Sequence, residues 1–213
     1  MRALAILLLF LGLSVPVLTV PALAAPPPGS PEEREVAALF ESARTALAQK
    51  RGAAVVPLLS RGSLDKLEGV RSAARSGGDA GLAKLEPAEK FAAMGLRRYV
   101  SPADLRRMSL GDLADHGMKN GWLGPNVIGS SGLGPVRVRG DRASALLMVD
   151  NRPALVPADF VREGGKWKID LTGVFTFGSQ MLKGFAAMSG KSEDAYIEDM
   201  LRKLPAKPAM MHR

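Results

Sequence analysis

Between Pro135 and Leu171 apolar and polar residues alternate with period two over several consecutive segments, each closed by turn chemistry. Val136 and Val138 alternate with Arg137 and Arg139, Gly140-Asp141 turns the chain, and Ala143 to Val149 makes the next strand. Asp150 to Pro153 is a second turn, Leu155 to Glu163 a third strand, and Gly164-Gly165 a tight hairpin into a fourth. There Trp167, Ile169 and Leu171 share one face, and Lys166, Lys168 and Asp170 the other. Such a meander dictates an antiparallel sheet with one wet face and one apolar face that something must cover.

The cover comes from the preceding residues, where the period is that of a helix. Ser30 as N-cap, Pro31 at the first helical position and Glu33 closing a capping box start a helix. Val36, Leu39, Phe40, Ala43 and Leu47 give it one buried face, and Gly52 is read as its stop. Ala53 to Leu59 is a brief second helix with Pro57 near its start or at a kink. Ser63 is read as the cap of a third helix reaching about Arg75, with Leu64, Leu67 and Val70 inward. Ser76 to Gly81 is a loop, and helical periodicity returns from Pro87 through Phe91, Met94, Leu96 and Tyr99. New starts follow at Ser101-Pro102 and at Ser109 with Asp112, and Gly117 and Gly121 close this half.

Asn126 to Gly134 is a Gly-rich loop or irregular edge strand. After Leu171 the apolar run Val174, Phe175, Phe177 reads as a continued or additional strand, and helices follow over Met181 to Met188 and Ser192 to Lys203. The fold class is therefore α+β, with N-terminal helices packed on a curved antiparallel sheet and extra C-terminal helices. The division is a helical layer over about 31–122, a meander over about 134–177 and helices over about 179–204, within one domain at 31–204.

Flanking segments carry an address. Arg2, an apolar run from Leu4 to Val20 and the small-residue pattern Ala22-Leu23-Ala24 read as a secretory signal peptide over 1–24, cut near Ala24, with an uncleaved anchor as the alternative. A Pro-rich spacer at 25–30 and a disordered tail at 205–213 complete the chain, which is expected to be periplasmic or secreted. With no cysteine there is no thiol for lipid attachment, disulfides or nucleophilic chemistry. Two histidines and no cysteine cannot supply a zinc set, so neither metal nor cofactor is expected. The formal net charge is +8, and losing Arg2 with the signal peptide leaves +7; outside the cytoplasm its natural partners are anionic lipid, cell-wall polymer or acidic proteins, and an aromatic content of 5% argues against nucleic acid.

The run Val136-Arg137-Val138-Arg139-Gly140-Asp141-Arg142-Ala143, followed by Phe160-Val161-Arg162-Glu163-Gly164-Gly165-Lys166-Trp167-Lys168-Ile169, resembles two adjacent hairpins of the nuclear-transport-factor-2-like (cystatin-like, SnoaL-like) superfamily. The resemblance implies a cone-shaped sheet closed by N-terminal helices around a pocket. The chain departs from that pattern by an inserted helical stretch, Ser101 to Trp122, and by the helices after Leu171.

Enzymes of that superfamily place an Asp, His or Tyr in the cone, and the candidates here are Asp112 with His116, an i, i+4 pair, and Tyr99 as a donor. The alternative makes Asp112 a first-turn helix charge and His116 a polar residue ahead of Gly117. Tyr99, Trp122, Phe160, Trp167 and Phe177 are candidates to line an apolar pocket, with Trp122, between Gly121 and Gly124, the more exposed tryptophan. Three functions follow. The first is an exported non-catalytic binding or accessory domain holding a small apolar ligand or partner segment. The second is a small lyase or isomerase using the Asp-His pair. The third is a basic adaptor on an anionic envelope surface, through Arg97, Arg98, Arg106, Arg107, Arg137 and Arg139.

Overall fold

A computed structural model describes residues 29–76, 78–122 and 130–204. The expected signal peptide, most of the spacer, the C-terminal tail and residues 126–129 of the Gly-rich stretch lie outside them. Among the described residues no helix is long and apolar enough to cross a membrane.

Helix α1 (Pro31–Ala48) starts as its sequence dictates: the Ser30 hydroxyl accepts from the Glu33 N–H, and the Glu33 carboxylate accepts from the Ser30 N–H. Its end differs from expectation. The left-handed residue is Lys50, at φ 58°, and Gly52 opens a 3₁₀ turn (Gly52–Ala54). Glycine is needed at 52 for close packing, because a Cβ there would lie 2.5 Å from the carbonyl carbon of Ala114. A second 3₁₀ turn (Val56–Leu58) leads into α2 (Arg61–Ser76). The residue that caps α2 is Ser60, whose hydroxyl accepts from the Ser63 N–H; the expected cap, Ser63, lies inside the first turn and is fully buried. The expected loop after it contains a single helical turn, α3 (Asp79–Leu82). Helices α4 (Pro87–Tyr99), α5 (Pro102–Arg107) and α6 (Leu110–Lys119) follow, α5 capped by Ser101 and α6 by Ser109.

The sheet holds β1 (Ser131–Leu133), β2 (Arg137–Arg139), β3 (Arg142–Val149), β4 (Arg152–Glu163) and β5 (Lys166–Asp170), all antiparallel and curled into a half-barrel. β1 and β2 lie end to end along one edge of β3; β4 and then β5 lie on the other side. Asp150 and Asn151 turn β3 into β4 with φ of 50° and 59°, the conformation of a two-residue hairpin, so β4 begins earlier than the sequence suggests. Gly164 and Gly165 do the same before β5. The free edge of β5 is closed by the chain entering α2: the Ser60 N–H donates to the Ile169 carbonyl at 2.8 Å, and Lys168 Nζ donates to the Pro57 carbonyl.

The run after Leu171 is not a strand. It is the start of α7 (Thr172–Met188), followed by α8 (Glu193–Lys203). Asp170 redirects the chain: its carboxylate accepts from the Thr172 N–H and hydroxyl, ending the ladder and starting the helix. Phe175, Ser179, Leu182 and Ala186 then form a helical stripe.

Two apolar clusters result. One lies under α1 and joins Val36 to Ala143, Phe160 and Trp167, with Leu39, Phe40, Val138 and Ile169 beside them. The other joins α2, α4, α5, α6, α7 and α8 around Phe91, Leu105, Leu113, Trp122, Phe175 and Ile197. Leu171, read from sequence as sharing a face with Trp167 and Ile169, leaves the sheet and packs on the helical cluster.

Candidate functional site

The expected acid-base pair is not assembled. The Asp112 carboxylate accepts from the Ser109 N–H and hydroxyl, at 2.8 Å each, and closes the capping box of α6. These hydrogen bonds, from an exposed position, hold its pKa below the ordinary carboxylate value. His116 turns instead toward Trp122, edge-on, with ring centroids 5.5 Å apart, and Tyr99 lies tilted against the same indole at 6.2 Å. Contrary to expectation Trp122 is buried: Gly121, at φ 68°, folds the chain back, and the Trp122 N–H donates to the Gly117 carbonyl. The indole then covers Gly117, where a Cβ would stand 2.7 Å from Cε3. Gly121, which suggested exposure, is part of what permits burial, and Gly124 lies outside the described residues.

The five aromatic candidates do not converge. Tyr99 and Trp122 belong to the helical cluster, Phe160 and Trp167 to the cluster under α1, and Phe177 is half-buried on α7. Under α1 the Arg162 guanidinium stacks 4.6 Å above the Trp167 ring and pairs with Glu32. Among the described residues Arg162 Nε and Trp167 Nε1 are buried there without a hydrogen-bond partner, as is Trp122 Nε1 in the other cluster. No group of three His, Cys, Asp or Glu side chains among the described residues is placed to hold a metal ion.

Sequence reasoning missed a polar joint between sheet and helices. Ser60 and Ser63, both buried, lie 2.7 Å apart through their hydroxyls and both reach Asp170 Oδ1. Burial alone would raise the Asp170 pKa; the hydrogen bonds from Thr172, Ser60 and Ser63 outweigh it and hold the carboxyl below its usual value. Its cross-strand partner Asp159 is pushed up by burial and by the Asp170 charge, with Arg142 partly offsetting. The period-2 pattern placed Asp170 on the wet face but carries no register, so its pairing with Asp159 was not legible.

That same face, turned away from α1, is open over β2 and β3. Register sets Arg139 opposite Arg142, and Arg137 opposite Ser144, which in turn faces Asp159 and then Asp170. Leu146 faces Pro157 in the next row. Arg137, Arg139, Arg142, Ser144, Leu146 and Pro157 are all exposed. None of the three arginines is in an ion pair among the described residues. Two guanidinium groups directly opposed on adjacent strands repel, a local cost that an anion bridging them relieves.

Of the other arginines read as basic surface, three have partners within the fold. Arg97 donates to the carbonyls of Ala73, Ala74 and Gly78 and finishes α2, Arg98 donates to the Leu204 carbonyl, and Arg107 pairs with Asp104; Arg106 is exposed. Set against family models, curated proteins and solved structures, the chain has no match.

Proposed function

We propose that the chain is an exported, non-catalytic adaptor domain that docks on an anionic, phosphate-bearing partner through the open face of β2 and β3. The observation that carries this reading is the direct opposition of Arg139 and Arg142, with Arg137 on the same face and no carboxylate paired to any of them among the described residues. Arginine suits phosphate because its planar fork donates two parallel hydrogen bonds. The engagement of Asp112 by Ser109 favours the adaptor over the lyase or isomerase alternative. Retention on phosphocellulose tests it. Replacing Arg137, Arg139 and Arg142 by Gln should lower the eluting salt concentration well below that of a charge-matched control, Arg106→Gln with Lys119→Gln and Lys203→Gln, on exposed helical positions. Equal elution of the two triple variants overturns the reading.

A second reading is supported by the two buried donors under α1. An apolar molecule with an acceptor head, held between α1 and the sheet, would satisfy Trp167 Nε1 and Arg162 Nε. Native mass spectrometry of protein taken from its own envelope checks it; the expected result is a bound mass lost on Trp167→Phe, and a bare protein rejects it.

A further inference from the structure

Resting on the adaptor reading, we infer that the partner of the open sheet face is the surface of a bilayer containing anionic phospholipid. The face is mixed in a way that a soluble polyanion does not require. Beside the three arginines stand Leu146, 53% exposed and one of two large apolar side chains exposed among the described residues, and Pro157 directly across from it. Neighbouring strands are about 5 Å apart, so the cations and the apolar pair form one continuous patch. Such a patch matches an interface where phosphates accept from guanidinium groups and the acyl boundary receives a side chain.

The same face carries both signs of charge on its far side, where Lys166 and Lys168 of β5 stand with the carboxylates. The carboxylates Asp159 and Asp170 lie on the β4 and β5 side, where α7 begins: a Cβ on Gly173 would stand 2.9 Å from Asp159 Oδ2. The uncovered part is therefore cationic and apolar, while the acidic part sits beneath the helix. A free phosphate or a soluble polyphosphate would engage the arginines and leave Leu146 in water. An acidic protein segment would also leave the Leu146 and Pro157 row unused by its charges. The bilayer uses all of the patch.

Vesicle flotation of the full chain tests this with phosphatidylcholine alone and with phosphatidylcholine containing phosphatidylglycerol, at low and high salt. Binding to the anionic vesicles only, weakened by salt, is expected. The Arg137, Arg139 and Arg142 to Gln variant should lose about a hundredfold in partition coefficient, and the helical control variant far less. Leu146→Ser should lose about fivefold on vesicles with its phosphocellulose elution unchanged. Thermal midpoints verify that each variant is folded, and the salt dependence of the wild type needs no variant at all. Absence of vesicle binding, insensitivity of that binding to Leu146→Ser, or equal loss in the control overturns the bilayer assignment. If phosphocellulose retention still depends on the three arginines, the anionic adaptor stands and the bilayer does not. Equivalent, Leu146-independent capture on immobilised polyglutamate would replace the bilayer by an acidic protein.

Discussion

The hydroxyl of Ser63 accepts the Leu171 N–H at 2.7 Å and so ties the first turn of α2 to the point where β5 becomes α7. Ser63 is fully buried, and its hydroxyl also meets Ser60 and Asp170. Ser63→Ala strands the Leu171 N–H without water to replace its acceptor, so a loss of about 1–3 kcal/mol is expected. Urea unfolding measures it. An unchanged midpoint would show that the joint is not a stabilising contact.

Glycines at 52 and 69 should respond in opposite directions. A Cβ at Gly52 meets the backbone of Ala114, whereas at Gly69, within α2, no described atom beyond its chain neighbours and its own helix backbone lies within 4 Å. Gly52→Ala should destabilise by about 1–3 kcal/mol through overpacking against α6, and Gly69→Ala should stabilise by about 0.5–1 kcal/mol through helix propensity. Thermal denaturation of the two variants side by side separates the effects.

Arg162 and Trp167 form the lid of the core under α1, with Glu32 on the outer side of the guanidinium. Arg162→Lys keeps the charge and loses the planar stack, for an expected cost of about 1 kcal/mol. Glu32→Gln should cost less than about 1 kcal/mol, since the pair is partly solvated. A double-mutant cycle between 162 and 167 should return a coupling that a cycle between 162 and 32 does not match.

The pH dependence of stability should split between the two paired carboxylates. Asp159 has its folded pKa raised, so its cost appears as pH rises through the window above the ordinary carboxyl value and persists at neutral pH. Asp159→Asn should therefore stabilise at pH near 7 and make little difference once both states are protonated, below about pH 3. Asp170 has its folded pKa lowered, so its stabilisation is present at neutral pH and lost as pH falls from the ordinary value through the folded one. Asp170→Asn should cost about 1–3 kcal/mol at neutral pH and less in acid. Urea midpoints collected across pH for both variants test the opposite signs.

How much of this could be read in advance depended on whether the physics was local. Helix starts at Ser30, Ser101 and Ser109 were legible because a capping hydroxyl and the N–H that donates to it lie within three residues. The alternation of Arg137 and Arg139 around Val138 showed a wet face, and Trp167 was correctly placed inside. Part of what escaped was set at a distance and part by local bonds that periodicity does not register. Ser60 and not Ser63 caps α2, because Ser63 is reserved for residues over a hundred positions later. The run Val174 to Phe177 read as a strand, and the hydrogen bonds that Asp170 accepts from Thr172 start a helix there instead. Trp122 beside Gly121 looked exposed, yet the turn at Gly121 and the bare Cα of Gly117 are how the indole reaches its site. Arg97 and Arg98 looked like surface charge and are backbone caps, so only part of the basic surface survived.

The packing of Val36 against Phe160 and Trp167 sets a schedule for synthesis. Helix α1 is made well before the strands that cover it, and the helical cluster can gather around α2, α4 and α6 in the meantime. Until Trp167 has been added, the nascent chain presents the stripe of Val36, Leu39 and Phe40 with nothing to lie on. A chain cut short in the meander would keep that stripe bare, a ready client for a chaperone.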